Sequence, residues 1–432
     1  MFILLRTHFI EELNASMDGK EVALSGWVHE IRELGKMTFL LLRDVTGIVQ
    51  VIGKKGVTEA SLMDQMSLPK ESVVRIVGTV KANPEAKVGF EIAIKEIENL
   101  NPISAKIPFE VTGKVPVEMD VRLNYRYIDL RRQQTEAIFK IESTIMSSFR
   151  EILLGKHFFE IRTPSIVAEA TEGGSELFPV QYFESKAFLA QSPQLYKQLA
   201  VIGGLDRVFT ITPVFRAEKS NDVYHLNEVT QMDIEMAFAD HQDVISILIE
   251  TVTGIIKEVK AKNAKDLEIL NVNLEVPETK VVTYNEAVEA MKAKSSNIKF
   301  GDDFTREDEK MINELYGDAV VVTEYPGSIR AFYSMPNDKN PELSNSFDFI
   351  YKGMEISSGA QRIHLPELLI EAIKKKGMDP KAFDFYINAF RCGAPPHAGW
   401  SIGLERLAMK ITGMDNIREC ALFPRDRKRL TP

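Results

Sequence analysis

The sequence predicts an α+β protein in two parts: a small N-terminal β-barrel, and a larger domain built on a mostly antiparallel sheet flanked by helices. Three observations carry this. Up to about residue 104 the chain is a series of short β-branched or aromatic runs separated by turn residues. A stretch punctuated by Pro102, Pro108 and Pro116 follows, without clear periodicity, and reads as a linker or hinge over 105–130. From 131 to 432 strands cluster with helices beside them, and do not alternate with them as βαβ units would.

In the first part, runs at 22–28, 37–42, 48–52, 73–80 and 90–94 supply five strands, with turn signals at Gly35, at 44–47 and at Asn83-Pro84. Five short strands in about 100 residues suit an OB-fold. In the second part, Ile138, Ile141, Ile145, Phe149 and Leu153 recur at helical spacing, and Gly155 stands where a helix C-cap would. Phe158 to Pro164 reads as a strand stopped by proline. Further strands are expected at 206–216, 227–238, 346–351 and 354–358, and helices near 242–260 and 403–412.

Composition narrows the function. The 432 residues carry a formal charge of −9, so any nucleic-acid site must be a local patch. Two cysteines, Cys392 and Cys420, are too few for a disulfide framework and point to a reducing compartment. The N-terminus lacks signal-peptide features and no apolar run approaches a membrane span, so a cytoplasmic location is expected.

Charged residues then cluster in a pattern that suits phosphate chemistry. Arg216 and Glu218 leave an apolar strand, and Asp233 and Glu235 share one face of the next, with Ile234 and Met236 alternating against them. Asp348 and Glu355 flank Lys352-Gly353. A tight turn there would pair residue 350 with 355 and 348 with 357, leaving the two carboxylates as diagonal neighbours able to share Mg²⁺ with substrate phosphates. Ser357, Ser358 and Arg362 follow. Ser192 caps a helix on which Gln194 and Lys197 share a face. Glu172 sits in a Gly-Gly loop that could gate a site. Gly399 to Arg406 passes from a small-residue strand into a helix, allowing close approach of a ligand to the backbone. Arg216, Arg362 and Arg406 suit bidentate capture of phosphate or carboxylate. No glycine-rich phosphate loop is present.

These residues resemble a known family. Phe159-Glu-Ile-Arg-Thr-Pro164 is similar to motif 1 of the class II aminoacyl-tRNA synthetases, Phe215-Arg-Ala-Glu218 with His225-Leu-Asn-Glu228 to motif 2, and Gly399 to Arg406 to motif 3. The whole chain resembles the aspartyl-tRNA synthetases of the archaeal and eukaryotic type, within class IIb. The resemblance implies ATP-dependent attachment of L-aspartate to tRNA(Asp), through aspartyl-adenylate, by a homodimer joined at motif 1. It assigns ATP to Arg216, Glu218, His225, Leu226, Glu355, Gly403 and Arg406, with catalysis by Arg216, Glu355 and Arg406. It assigns Mg²⁺ to Asp348, Glu355 and Ser358, and aspartate to Glu172, Ser192, Gln194, Lys197, Asp233, Ser358 and Arg362. Val229 stands where the family often has an adenine-stacking Phe. Asparaginyl-tRNA synthetase is the alternative, and Lys197 argues against it because an amide would leave that cation unpaired.

The barrel resembles the family's anticodon-binding domain. The resemblance assigns anticodon contacts to His29, Arg32, Phe39, Gln50 and Lys87, with Phe39 stacking on a base and Gln50 reading a base edge. His29 is similar to enzymes restricted to tRNA(Asp). Lys87 is similar to enzymes that also charge tRNA(Asn). Strand alternation alone leaves Phe39 open between a base contact and the barrel core.

Overall fold

The computed structural model describes residues 5–168, 176–220 and 222–432. The chain divides into two compact units, Met1–Pro108 and Phe109–Pro432. The first is a closed barrel of β1 (Glu21–Leu34), β2 (Met37–Arg43), β3 (Ile48–Lys54), β4 (Val73–Ala82) and β5 (Phe90–Asn101), in the order β1-β2-β3-β5-β4. It has the OB-fold architecture, with strands longer than the apolar runs because polar residues continue the pairing beyond them. Alternate side chains fill its interior: Val28, Leu40, Leu42, Val51, Ile76, Val80 and Ile92 are fully buried. Phe39 lies between Thr38 and Leu40 and is only half-buried, outside the core.

The second unit adds β6 (Phe159–Glu160), β7 (Ile166–Val167), β8 (Pro179–Tyr182), β9 (Ser185–Leu189), β10 (Arg207–Phe215), β11 (Glu228–Ala237), β12 (Thr279–Thr283), β13 (Ala319–Thr323), β14 (Ser346–Tyr351), β15 (Glu355–Gln361) and β16 (His397–Gly403). Eight of these form one sheet in the order β12-β13-β14-β15-β16-β11-β10-β6, antiparallel except for the outermost pair at each end. Strands β7, β9 and β8 form a separate small sheet.

One face of the large sheet is core. Ile234, Met236, Phe349, Trp400 and Ile402 point into a cluster completed by Ile141, Ile145 and Phe149 of helix Gln133–Gly155 and by Val252 and Ile256 of helix His241–Lys262. The second helix starts at a capping box, in which Asp240 accepts from the Gln242 and Asp243 amides and Asp243 answers on the Asp240 amide. The opposite face is covered by apolar clusters at two places. Helices Tyr284–Ala293 and Arg306–Tyr316 cover Val320, Val322 and Ile350, while Tyr333, Leu369, Tyr386 and Phe390 form another cluster with Leu195.

Several local expectations are revised. Gly155 lies inside the last helical turn, and the left-handed residue that ends it is His157, at φ 65°. Only Phe159 and Glu160 of the Phe158–Pro164 run are in register with a neighbouring strand, the Ile161 amide adds a bond to the Phe209 carbonyl, and Pro164 has no N–H to carry a ladder on. Residues Met119–Asn124 and Arg126–Asp129, which the sequence places in a linker, are helical, and Arg126 is buried on Asp129 and on the carbonyls of Glu419, Ala421 and Leu422.

Beneath the large sheet, two carboxylates lie close together. Burial holds Glu142 up at about 8, with Glu405 adding repulsion, and burial holds Glu405 up at about 7. Raised carboxyl values stabilise the fold fully at low pH, and that contribution is lost as pH rises from about 4.5 toward 8. Glu142→Gln, which cannot ionise, is therefore expected to melt like the parent at pH 4 and at a higher temperature at pH 8.5, by roughly 2–4 °C per kcal/mol recovered. Scanning calorimetry at both pH values measures this; equal melting temperatures at pH 8.5 would contradict it.

Candidate active site

The strand register lays a polar row across the uncovered part of the sheet. Asp233 of β11 pairs with Ser401 of β16, Ser401 with Ser358 of β15, and Ser358 with Asp348 of β14. Above this row lies a cavity of about 350 Å³. It is lined by Ser192, Gln194, Lys197, Arg216, Glu218, His225, Leu226, Asp233, Glu355, Ser358, Arg362, Gly403 and Arg406, so these sequence-derived candidates meet in one place. Val229 also lines it. Asp348 lies in the same row and is almost fully buried. Glu172 lies outside the described residues.

The turn at Lys352-Gly353 pairs Ile350 with Glu355 as expected. A bulge at Ile356 then sets Asp348 opposite Ser358 rather than Ser357. Arg216 and Glu218 sit just beyond the end of β10 rather than within it, since β10 stops at Phe215. Asn227 pins this turn: its amide side chain donates to the carbonyls of Arg216 (2.7 Å) and Glu218 (3.0 Å). His225 is held by the Asp222 carboxylate at Nδ1, 2.8 Å away, which leaves Nε2 on the side of Glu218. The N-cap of helix Gln194–Ala200 is Pro193 rather than the expected Ser192; Ser192, one residue earlier, accepts from the Gln194 amide through its hydroxyl at 3.3 Å.

The two ends of the cavity differ in how their cations are committed. At one end Lys197 Nζ lies 2.7 Å from Asp233 and 3.5 Å from Glu235, and Arg362 grips Glu235 through Nε and Nη2 at 3.0 and 3.3 Å. All four side chains are buried. Burial would push Glu235 up, yet Arg362 and Lys197 hold it below the usual carboxylate range; Asp233 stays above that range because burial outweighs Lys197 and Ser401. At the other end, among the described residues, Arg216 and Arg406 pair with no carboxylate. Arg406 Nη1 donates only to the Glu355 carbonyl, at 3.2 Å. Burial lowers the affinity of Arg406 for its proton, an arrangement that favours an incoming anion.

Gly399 has a different use from the one its sequence suggests. A Cβ there would fall on the Glu235 carboxylate and the Ile234 carbonyl, so its missing side chain makes room for the protein's own ion pair and not for a ligand.

The metal candidates form a compact acidic pair. Glu355 is raised to about 7, by burial and then by the nearby Asp348 charge. Asp348 Oδ1 is buried without a hydrogen-bond partner, while Oδ2 meets Arg330 at 2.7 Å. Among the described residues no group of three or more His, Cys, Asp and Glu could hold a metal alone. The donors thus fit a hard divalent cation shared with a ligand's oxygens, not a closed protein cage.

Sequence reading missed Arg330, Ser401, Tyr333 and Glu405. Ser401 donates to Asp233 at 2.9 Å, the guanidinium of Arg362 lies over the Tyr333 ring at 5.3 Å, and both Glu405 oxygens accept from the Thr230 amide. Ser401 could be found only by knowing that β16 lies beside β11, a neighbour 160 or more residues away in sequence.

In the barrel, Arg32 and Phe39 are paired across β1 and β2, and Leu41 pairs with Gln50 on β3. His29 occupies the bulge between Val28 and Glu30, and its Nδ1 meets Arg43, which is clamped by Glu71. Gln50 donates to Glu91 at 2.9 Å, and Lys87 is exposed in the turn between Asn83 and Gly89.

Comparison with known proteins places both units. A family model described as tRNA synthetases class II (D, K and N) matches residues 118–427, and one described as an OB-fold nucleic acid binding domain matches residues 22–100. The aspartate--tRNA(Asp/Asn) ligase of Methanocaldococcus jannaschii is 49% identical over 430 residues, covering 99% of this chain and 98% of that protein. That of Archaeoglobus fulgidus is 46% identical, covering 98% and 99%. Asparaginyl-tRNA synthetase from Pyrococcus horikoshii, complexed with asparaginyl-adenylate, superposes with a TM-score of 0.93 at 34% identity, covering 98% and 99%. Aspartyl tRNA synthetase from Entamoeba histolytica gives 0.86 at 34% identity, covering 98% and 92%.

Proposed function

The chain belongs to the class II tRNA synthetases of the D, K and N group, and on that premise we propose that it joins L-aspartate to tRNA(Asp), and also to tRNA(Asn), through aspartyl-adenylate. The observation that carries the amino-acid choice is the charge balance at the closed end of the cavity. Lys197 and Arg362 face Asp233 and Glu235, so the buried charges sum to zero. Aspartate brings an ammonium group for Asp233 and a side-chain carboxylate for Lys197 and Arg362, and the sum stays zero. With the α-carboxylate of either substrate facing the ATP end, asparagine would bring only its ammonium to this end and leave one buried positive charge without a partner, at a cost of roughly 3–5 kcal/mol.

ATP takes the opposite end. Arg216 receives the α-phosphate, Arg406 and His225 the outer phosphates, Glu218 the adenine amino group, with Leu226 and Gly403 against the nucleoside. Gln194, Ser192 and Ser358 line the aspartate side. Asp348, Glu355 and Ser358 would hold Mg²⁺, which when bound offsets charge on the phosphates. The aspartate α-carboxylate attacks the α-phosphorus in line and pyrophosphate leaves. The terminal ribose hydroxyl of the tRNA then attacks the adenylate carbonyl and AMP departs. No protein nucleophile is needed: Arg216 stabilises the charge that develops, and fixed placement lowers the entropic part of the barrier.

The same reading includes anticodon contacts by His29, Arg32, Phe39, Gln50 and Lys87, the half-buried Phe39 offering a face for stacking. It includes a homodimer through 159–164, supported by the exposed Phe159 on the end strand β6 and by the exposed Leu154 and Ile166 near it in sequence. It includes a cytoplasmic location: no described helix is long and apolar enough to cross a membrane, and Cys392 and Cys420 are free thiols. The use of tRNA(Asn) follows the activity for which the Methanocaldococcus and Archaeoglobus relatives are named and the exposed Lys87, against the signal from His29. Charging purified tRNA(Asp) and tRNA(Asn) in parallel with aspartate tests it. Charging of both is expected, and charging of tRNA(Asp) alone would remove the second substrate.

A further inference from the structure

Behind the amino-acid end of the cavity lies a chain of buried polar side chains that the proposed chemistry does not use. His397, at the start of β16, meets the Pro395 carbonyl through Nδ1 and the Gln198 side-chain nitrogen through Nε2, both at 2.8 Å. The Gln198 side-chain oxygen accepts from the Tyr386 hydroxyl at 2.8 Å and from Gln194 Nε2, one helical turn earlier, at 2.9 Å. Gln198, Tyr386 and His397 are fully buried, and of the four only Gln194 lines the cavity.

Each link from the carbonyl to Gln194 runs in one direction. A carbonyl only accepts, so His397 donates to Pro395 from Nδ1. A neutral imidazole then carries a lone pair on Nε2, and Gln198 must offer its NH₂ there. The Gln198 oxygen is thereby turned to Gln194, which answers with its own NH₂. The Gln194 oxygen, which accepts from no described residue, is left toward the cavity. Apolar side chains of the same shape would join the helix to the strand about as well, so what the polar chain adds is a fixed sense. His397 keeps that sense while neutral. Burial, with Arg362 and His364 adding to it, lowers its hold on a second proton against the pull of Glu235. A doubly protonated ring would reverse both amides and turn an NH₂ on the cavity.

We propose that Gln198 and His397 are positioning residues for the substrate ammonium: anchored on the Pro395 carbonyl, they lock Gln194 with its oxygen facing the cavity that Asp233 also lines. The inference rests on the amino-acid-activating function proposed above and extends it to residues that touch no substrate. An amide free to turn would present oxygen and NH₂ in turn, and an NH₂ repels an ammonium. Locking it beforehand removes that ordering cost from binding.

The test compares aspartate with succinate, which keeps both carboxylates and lacks the ammonium. Pyrophosphate exchange on the full-length enzyme gives the KM for aspartate and the Ki of succinate as its competitor. In Gln198→Met the aspartate KM is expected to rise about tenfold or more, the usual scale for a hydrogen bond to a charged group, while the ATP KM and the succinate Ki stay within about twofold of the parent. In a Gln194→Met background the same change is expected to add less than about twofold, because Gln198 acts through Gln194. His397→Leu removes the anchor and leaves both glutamines. It is expected to raise the aspartate KM at least about threefold with the succinate Ki again unchanged, and it decides between the outcomes if Gln198→Met does not fold. Equal losses for aspartate and succinate would overturn the proposal in favour of a general loosening of the site. An unchanged aspartate KM, or losses at 194 and 198 that multiply, would overturn it as well. If the parent exchanges with asparagine and not with aspartate, the proposed function fails instead, and the same variants with asparagine and succinamate still decide the role of Gln198 and His397.

Discussion

Arg362→Gln is expected to raise the aspartate KM in pyrophosphate exchange by about a hundredfold or more, while the ATP KM changes by less than about threefold. Arg362 grips Glu235 with two hydrogen bonds, and Glu235 has no solvent exposure. Removing one partner of a buried pair typically costs about 3–5 kcal/mol. Glu235 would then draw on Lys197, already 3.5 Å away, and weaken the Lys197–Asp233 contact. Both cations meant for the substrate carboxylate are lost together. The ATP end shares none of these groups, so its affinity stays. Lower thermal stability is expected too, so the kinetics are taken well below the melting temperature. Equal losses for ATP and aspartate would contradict the separation of the two ends.

Arg216→Ala is expected to behave in the opposite way. Its guanidinium pairs with no carboxylate among the described residues, so its removal leaves no buried charge alone, and the melting temperature should stay within about 2 °C of the parent. The exchange kcat should fall by about 10²–10³, the usual consequence of losing one donor aimed at developing charge. The aspartate KM should change little. A large drop in melting temperature with a modest loss of kcat would show that Arg216 serves the fold instead. Together the two variants distinguish a cation committed in advance from one held open for a ligand.

Much of this arrangement was legible in the sequence because it depends on local rules. The alternation of Asp233 and Glu235 with Ile234 and Met236 places charges on one face and core on the other, and the structure keeps that division. Helical spacing from Ile138 to Leu153 gives the helix that covers that core. The rest depended on register and on distant neighbours. The Ile356 bulge shifted Asp348 by one residue because a hairpin rule counts only regular pairs. The row Asp233–Ser401–Ser358–Asp348 needs the strand order, which no local pattern supplies. Sequence reading also passed over strands β12 and β13 and helix Arg306–Tyr316, although Ala319 to Thr323 is a continuous, fully buried and largely β-branched run of the kind that marks an interior strand. Nor could sequence spacing show that Lys197 and Arg362 arrive already paired, a fact that changes them from free hooks into members of a balanced set.

The balance of that set is the central claim, and amino-acid-dependent pyrophosphate exchange tests it most directly. The backbone does not decide it, since the chain superposes closely both on an asparaginyl-tRNA synthetase and on an aspartyl one. The decision lies with Lys197, Arg362, Asp233 and Glu235. With purified enzyme, ATP, Mg²⁺ and no tRNA, aspartate is expected to support exchange with a kcat/KM at least about a thousandfold above that of asparagine, as for sites whose buried polar groups a wrong substrate leaves unpaired. Exchange supported by asparagine as well as or better than by aspartate would contradict it.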